Sequence, residues 1–108
     1  MIIVNKVRHK PTLKDFYVGR PSSLGNPYGF QDGTLAEHKV AGRAEAISSY
    51  REWLEEKINN PFSFGHEAVV AAMRMLKDDT VLVCWCDPLP CHGQVIKELW
   101  EKYFACKN

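Results

Sequence analysis

Residues 80–94 read Thr80-Val-Leu-Val-Cys-Trp-Cys-Asp-Pro-Leu-Pro-Cys-His-Gly-Gln94, and the fold turns on how this stretch is read. Val81, Leu82 and Val83 make an apolar run rich in β-branching, which suits a central strand covered on both faces. Side chains alternate along a strand, so Leu82, Cys84 and Cys86 share one face and Val81, Val83 and Trp85 the other. Pro88 and Pro90 end the strand and stiffen a short loop, because each fixes its own φ and turns the preceding residue away from helix. Val95, Ile96, Leu99, Trp100 and Tyr103 then recur at three- and four-residue steps and predict a helix ending near Phe104. Cys91, His92 and Gly93 therefore fall between a strand's C-terminal end and a helix's N-terminus, where open α/β sheets bind ligands. Unpaired backbone N–H groups and the helix dipole favour an anion there. The missing side chain of Gly93 leaves room for a ligand to approach the backbone, and the same field favours the thiolate of Cys91.

Upstream, residues 2–7 read as a first strand, residues 8–14 as a polar connection containing Pro11, and residues 15–18 as a short second strand. Residues 19–33 are rich in glycine and proline and form a loop with defined turns. A loop this long is either functional or disordered, and Leu24, Tyr28 and Phe30 argue that this one is packed down. Its candidate ligand contacts are Gly19, Arg20, Ser22, Gly25, Asn26 and Tyr28. Arg20 suits phosphate or carboxylate, and Asn26 and Tyr28 suit a nucleobase edge or face.

A helix is expected from Gly42, with Ile47, Tyr50, Leu54 and Ile58 on the apolar stripe and Glu52, Glu55, Glu56 and Lys57 on the wet side. Asn59-Asn60-Pro61 stops it. Arg43 in its first turn opposes the helix dipole, which marks it as a candidate anion contact. A second helix is expected over residues 64–76, with Val69, Val70, Met73 and Leu76 inward, and His66 reads as an ordinary surface or core histidine. The order is β-β-α-α-β-α: a single α/β domain over residues 1–108, with a small Rossmann-like sheet and flanking helices.

The 108 residues suffice for one core, and 45% apolar with 25% charged content is ordinary for a soluble globular chain. A formal charge of +1 exerts no general pull on nucleic acid or membrane, and no groove-reading helix is apparent. The first twenty residues are locally basic through Lys6, Arg8, Lys10, Lys14 and Arg20, either a solvated face or one wall of an anion site. Met1-Ile-Ile-Val-Asn lacks a basic leader and no apolar run nears the roughly 20 residues that span a bilayer. A cytoplasmic protein is expected, its cysteines reduced, metal-bound or reactive.

Tyr17-Val-Gly-Arg-Pro-Ser-Ser-Leu-Gly-Asn-Pro-Tyr28, then Arg43 and Tyr50 on a helix, then Cys84-Trp-Cys-Asp-Pro-Leu-Pro-Cys-His-Gly93, resemble domain-of-unknown-function family 4326, a group of small bacterial and phage proteins. The resemblance spans nearly the whole chain and implies an α/β fold with its site at these two motifs. The Cys-His ending is also similar to family 488, where an arginine often follows; here Gly93 takes that place, and Arg20 or Arg43 has to supply the cation.

Three readings stay open. In the first, a nucleotide- or nucleoside-type ligand sits between Gly19–Tyr28 and Cys84–Gly93. Any glycosidase- or transferase-like reaction there would use Cys91 as nucleophile or His92 as general acid or base. In the second, Cys84, Cys86, Cys91 and His92 supply soft ligands for zinc. In the third, the chain is a binding module without catalysis. A lone small sheet would gain from homodimerisation, for which the sequence shows no interface.

Overall fold

In the computed structural model, residues 1–7, 9–20, 22–29, 38–85 and 91–105 are described. Their order is β1 (Ile2–Asn5), β2 (Asp15–Tyr17), β3 (Tyr28–Gly29), β4 (His38–Lys39), α1 (Arg43–Asn59), α2 (His66–Arg74), β5 (Val81–Cys84) and α3 (His92–Tyr103). The apolar run forms β5 as expected, and all four of its residues are buried, so both faces of the strand are covered. It lies at the centre of a three-stranded sheet of order β1-β5-β2. Both pairings are parallel, with Ile3 and Phe16 flanking Leu82. The ladder continues past the strand ends: Lys6 N–H donates to Cys84 O at 2.7 Å and Val18 N–H to Val83 O at 2.9 Å. Strand β5 stops one residue short of Trp85, which bends away.

Two elements depart from the expected order. A second, two-stranded parallel pair joins β3, inside the stretch read as loop, to β4 beyond it. Two-residue strands carry too little alternation to register as a pattern. Helix α2 begins at His66, not Phe64, because Gly65 caps it at φ 85°, a left-handed conformation that glycine adopts without strain. Phe62 and Phe64 before it are 97% and 95% exposed.

Helix α1 follows the expected stripe, with Tyr50 and Leu54 fully buried and Ile47 and Ile58 packed at the margin. Glu45 supplies the acidic residue of its first turn and accepts the Ala41 N–H at 3.0 Å, which offsets the unfavourable Arg43. His66 is structural: its Nδ1 donates to Lys57 O at 2.6 Å and closes the α1–α2 connection. Leu82, Val95, Ile96, Leu99, Leu54 and Met73 form the centre of the core. Among the described residues no helix is long and apolar enough to cross a membrane.

Leu82 is 0% exposed at the centre of the sheet. Leu82→Ala should cost about 2–5 kcal/mol, lowering the thermal midpoint by on the order of 10 °C or more. Phe62→Ala should cost no more than about 0.5 kcal/mol. Paired melts of the two variants check the assignment of the core.

Candidate functional site

Three parallel strands end at one edge, and the two motifs meet there. Cys91 is the N-cap of α3 with extended backbone, and its sulfur accepts the Gly93 N–H at 3.4 Å. Sulfur is a weaker acceptor than the usual capping oxygens. His92, the first helical residue, reaches back across the sheet edge, and its Nε2 donates to Val18 O at 2.6 Å. The carbonyl can only accept, so Nε2 carries the proton, and in the neutral ring Nδ1 keeps its lone pair. That Nδ1 lies 3.5 Å from Cys91 Sγ.

His92 is held below its ordinary value of 6.5. Burial is the main cause, the nearby Arg20 charge adds to it, and the bond to Val18 O partly opposes both. The Tyr50 ring meets the imidazole edge-on at 5.0 Å between centroids, and its hydroxyl donates to Leu24 O at 2.7 Å. Burial, and then the neighbouring Cys91, push the Tyr50 phenol well above 10, so it stays protonated as that donor.

The loop after β2 is built on itself. Tyr17 OH donates to Arg20 O at 2.8 Å and Ser22 Oγ to Gly19 O at 2.6 Å. Gly19 and Gly25 are needed for close approach. A side chain on Gly19 would come within 2.6 Å of Tyr17 Cζ, and one on Gly25 within 3.0 Å of Gly19 O and 3.2 Å of Arg20 Cγ. Asn26 is buried, its Nδ2 donating to Ala46 O at 3.1 Å and its Oδ1 accepting Tyr28 N–H at 2.8 Å. It therefore fastens the loop to α1, one turn beyond Arg43. Arg20 differs from these residues: it is half-buried, and its Nη1 is sealed from solvent with no hydrogen-bond partner among the described residues.

A side chain on Gly93 would meet Ile3 Cγ1 and Cγ2 at 3.3 Å, so β1 packs against the side of the backbone where a side chain would stand. The missing side chain lets α3 pack closely on the sheet. Cys84 and Cys91 place their sulfurs 3.0 Å apart, both buried. Among the described residues no group of three or more His, Cys, Asp or Glu side chains could hold a metal ion. Cys86, the other member of the expected set, lies outside the described residues, as does Phe30.

The sequence reading missed Val18, whose carbonyl orients His92, and the exposed cluster of Lys6, Tyr17 and Trp85. Their common signal is position, each at or just past a strand's C-terminal end.

These features define a small mixed α/β protein whose parallel sheet gathers an arginine, a cysteine and a buried neutral histidine at one edge. A family profile described as a domain of unknown function (DUF4326) matches residues 4–102 of the 108-residue chain. The chain belongs to this family, as its two motifs implied. No curated protein and no solved structure matches it.

The depressed His92 value fixes the sign of a pH effect. Between the native value and 6.5 the unfolded chain binds more protons than the native one. Stability from this residue is therefore complete above 6.5 and falls as pH drops through the window below it. Urea melts at stepped pH should show His92→Gln, which can still donate to Val18 O, lacking this part of the acid slope. Parallel pH profiles for the two proteins would refute a buried neutral His92.

Proposed function

We propose that this protein binds an anionic small molecule of nucleotide or nucleoside type between the Gly19–Tyr28 loop and the Cys84–Gly93 segment, with Arg20 as the principal anion contact. One observation carries the reading. Arg20 Nη1 is a cationic donor removed from water and left without an acceptor among the described residues. A buried unpaired donor costs about 1–3 kcal/mol, more when charged, and a phosphate or carboxylate is the group whose geometry a guanidinium satisfies best. Taking the sheet as Rossmann-like, this is also the edge where ligands bind. The α3 N-terminus, with no acidic residue in its first turn, adds to the positive potential.

The line Cys91–His92–Val18 supports chemistry at this site as a second reading. A thiol, a neutral imidazole within 3.5 Å and a backbone acceptor that orients that imidazole reproduce the nucleophile–base–orienter pattern. Once a ligand is in hand, Cys91→Ser separates the two cases. Binding kept with glycosidase- or transferase-like turnover lost means an enzyme, and no turnover in the parent means a binder.

The primary test is thermal shift on untagged protein with nucleosides, nucleotides and ADP-ribose, with and without a zinc chelator. Ligand at 100 times its dissociation constant adds about 2.7 kcal/mol, a rise on the order of 10 °C for this size. Arg20→Met keeps the aliphatic stem over Gly25 and removes the unpaired nitrogen. It should abolish the ligand-induced rise while leaving the unliganded midpoint unchanged or higher. A lowered midpoint in Arg20→Met would make Arg20 structural. No shift with any compound, with collapse on chelation, would replace this reading by a zinc-stabilised interaction module.

A further inference from the structure

The anion site uses Arg20 but leaves unexplained three side chains on the same edge. Tyr17 ends β2, Lys6 directly follows β1 and Trp85 directly follows β5. Because the strands are parallel, all three lie at the C-terminal edge of the sheet. Trp85 is 53% exposed, so the core does not require it. It is nevertheless pinned at both ends. Its indole N–H donates to Tyr17 OH at 2.8 Å, and its carbonyl accepts from Asn5 Nδ2 at 2.9 Å. The Lys6 ammonium lies 4.9 Å from the Tyr17 ring centroid and 5.1 Å from that of Trp85, a cation–π arrangement with both. Tyr17 OH donates in turn to Arg20 O, so the aromatic pair and the arginine form one hydrogen-bonded chain.

We propose that Trp85 and Tyr17, each with Lys6 over one ring face, offer the face away from Lys6 as the stacking platform for the planar base of the ligand whose anionic group Arg20 holds. The inference rests on the reading of Arg20 as the anion contact. An aromatic face held still before binding loses little entropy when a ring stacks on it, and stacking tolerates every nucleobase because each has a π-face. Lys6 adds a cation to the edge that already carries Arg20, which suits a phosphorylated nucleoside over an uncharged one.

Calorimetric titrations with AMP, GMP, CMP and UMP, and with ribose 5-phosphate as the same anion without a base, test it. The parent should bind at least one nucleotide about 10-fold or more tightly than ribose 5-phosphate. Trp85→Ala should erase that preference and leave ribose 5-phosphate affinity unchanged; Trp85→Phe, which keeps a π-face and serves as the conservative control for folding, should retain most of it. Arg20→Met should weaken both kinds of ligand. If Arg20→Met weakens binding but Trp85→Ala leaves nucleotide affinity intact, the platform is wrong and the anion site stands. Equal affinity of the parent for nucleotides and ribose 5-phosphate also overturns the platform. If neither class binds the parent, the anion reading fails and takes the platform with it.

Discussion

The hydrogen bond from His92 Nε2 to Val18 O organises this edge of the molecule. It joins the first residue of α3 to the residue after β2, 74 positions away, inside the protein. Val18 is fully buried, and its N–H is already used by Val83 O, so without the imidazole its carbonyl would lose this partner in an apolar interior. The bond also selects the histidine tautomer and thereby aims Nδ1 at Cys91. Tyr50, packed edge-on against the same ring, hands its hydroxyl to Leu24 O. One imidazole thus ties together a strand end, a helix start, helix α1 and the glycine-rich loop. Burial favours the neutral ring, and Nε2 carries its proton to Val18 O in either form.

That loop is held by many small commitments. Ser22 closes on Gly19, Gly25 N–H on Ser22 O, and Asn26 bridges Ala46 and Tyr28. Side chains that looked like ligand contacts from their chemistry alone are spent on making the loop one shape. Arg20 stands out against that background, because its stem packs on Gly25 while Nη1 stays unsatisfied. On the proposed reading, these hydrogen bonds hold the guanidinium in place ahead of an acceptor, and such preorganisation lowers the entropic cost of binding.

Much of this was legible in the chain, and the failures have physical causes. The apolar run of β5 and the spaced stripes of α1 and α3 announced themselves because burial dictates periodicity. That the Cys-His segment lies at a sheet edge was legible, since a strand end followed by a helix start is a local pattern. Strand order was not legible: pairing β5 between β1 and β2 is a non-local choice that no window of sequence records. Gly93 is ambiguous in the sequence because a missing side chain serves a ligand or a neighbouring strand equally well, and the packing of Ile3 against it is a non-local fact. Asn26 before Pro27 carried the same ambiguity between turn and recognition. Lys6, Tyr17 and Trp85 were invisible as a group because they lie at the ends of three different strands.

Strand order has a further consequence for the site. β1 and β2 do not pair with each other; each pairs only with β5. Until β5 enters between them, Asn5 and Tyr17 have no Trp85 to hold, Lys6 N–H and Val18 N–H have no strand to bond, and His92 has no ordered Val18 carbonyl to meet. The edge that gathers arginine, imidazole, thiol and aromatic rings therefore depends on β5 lying between β1 and β2, not on either motif alone. The apolar run and the Cys-His segment that follows it consequently act as one unit, the first anchoring the sheet and the second closing its edge.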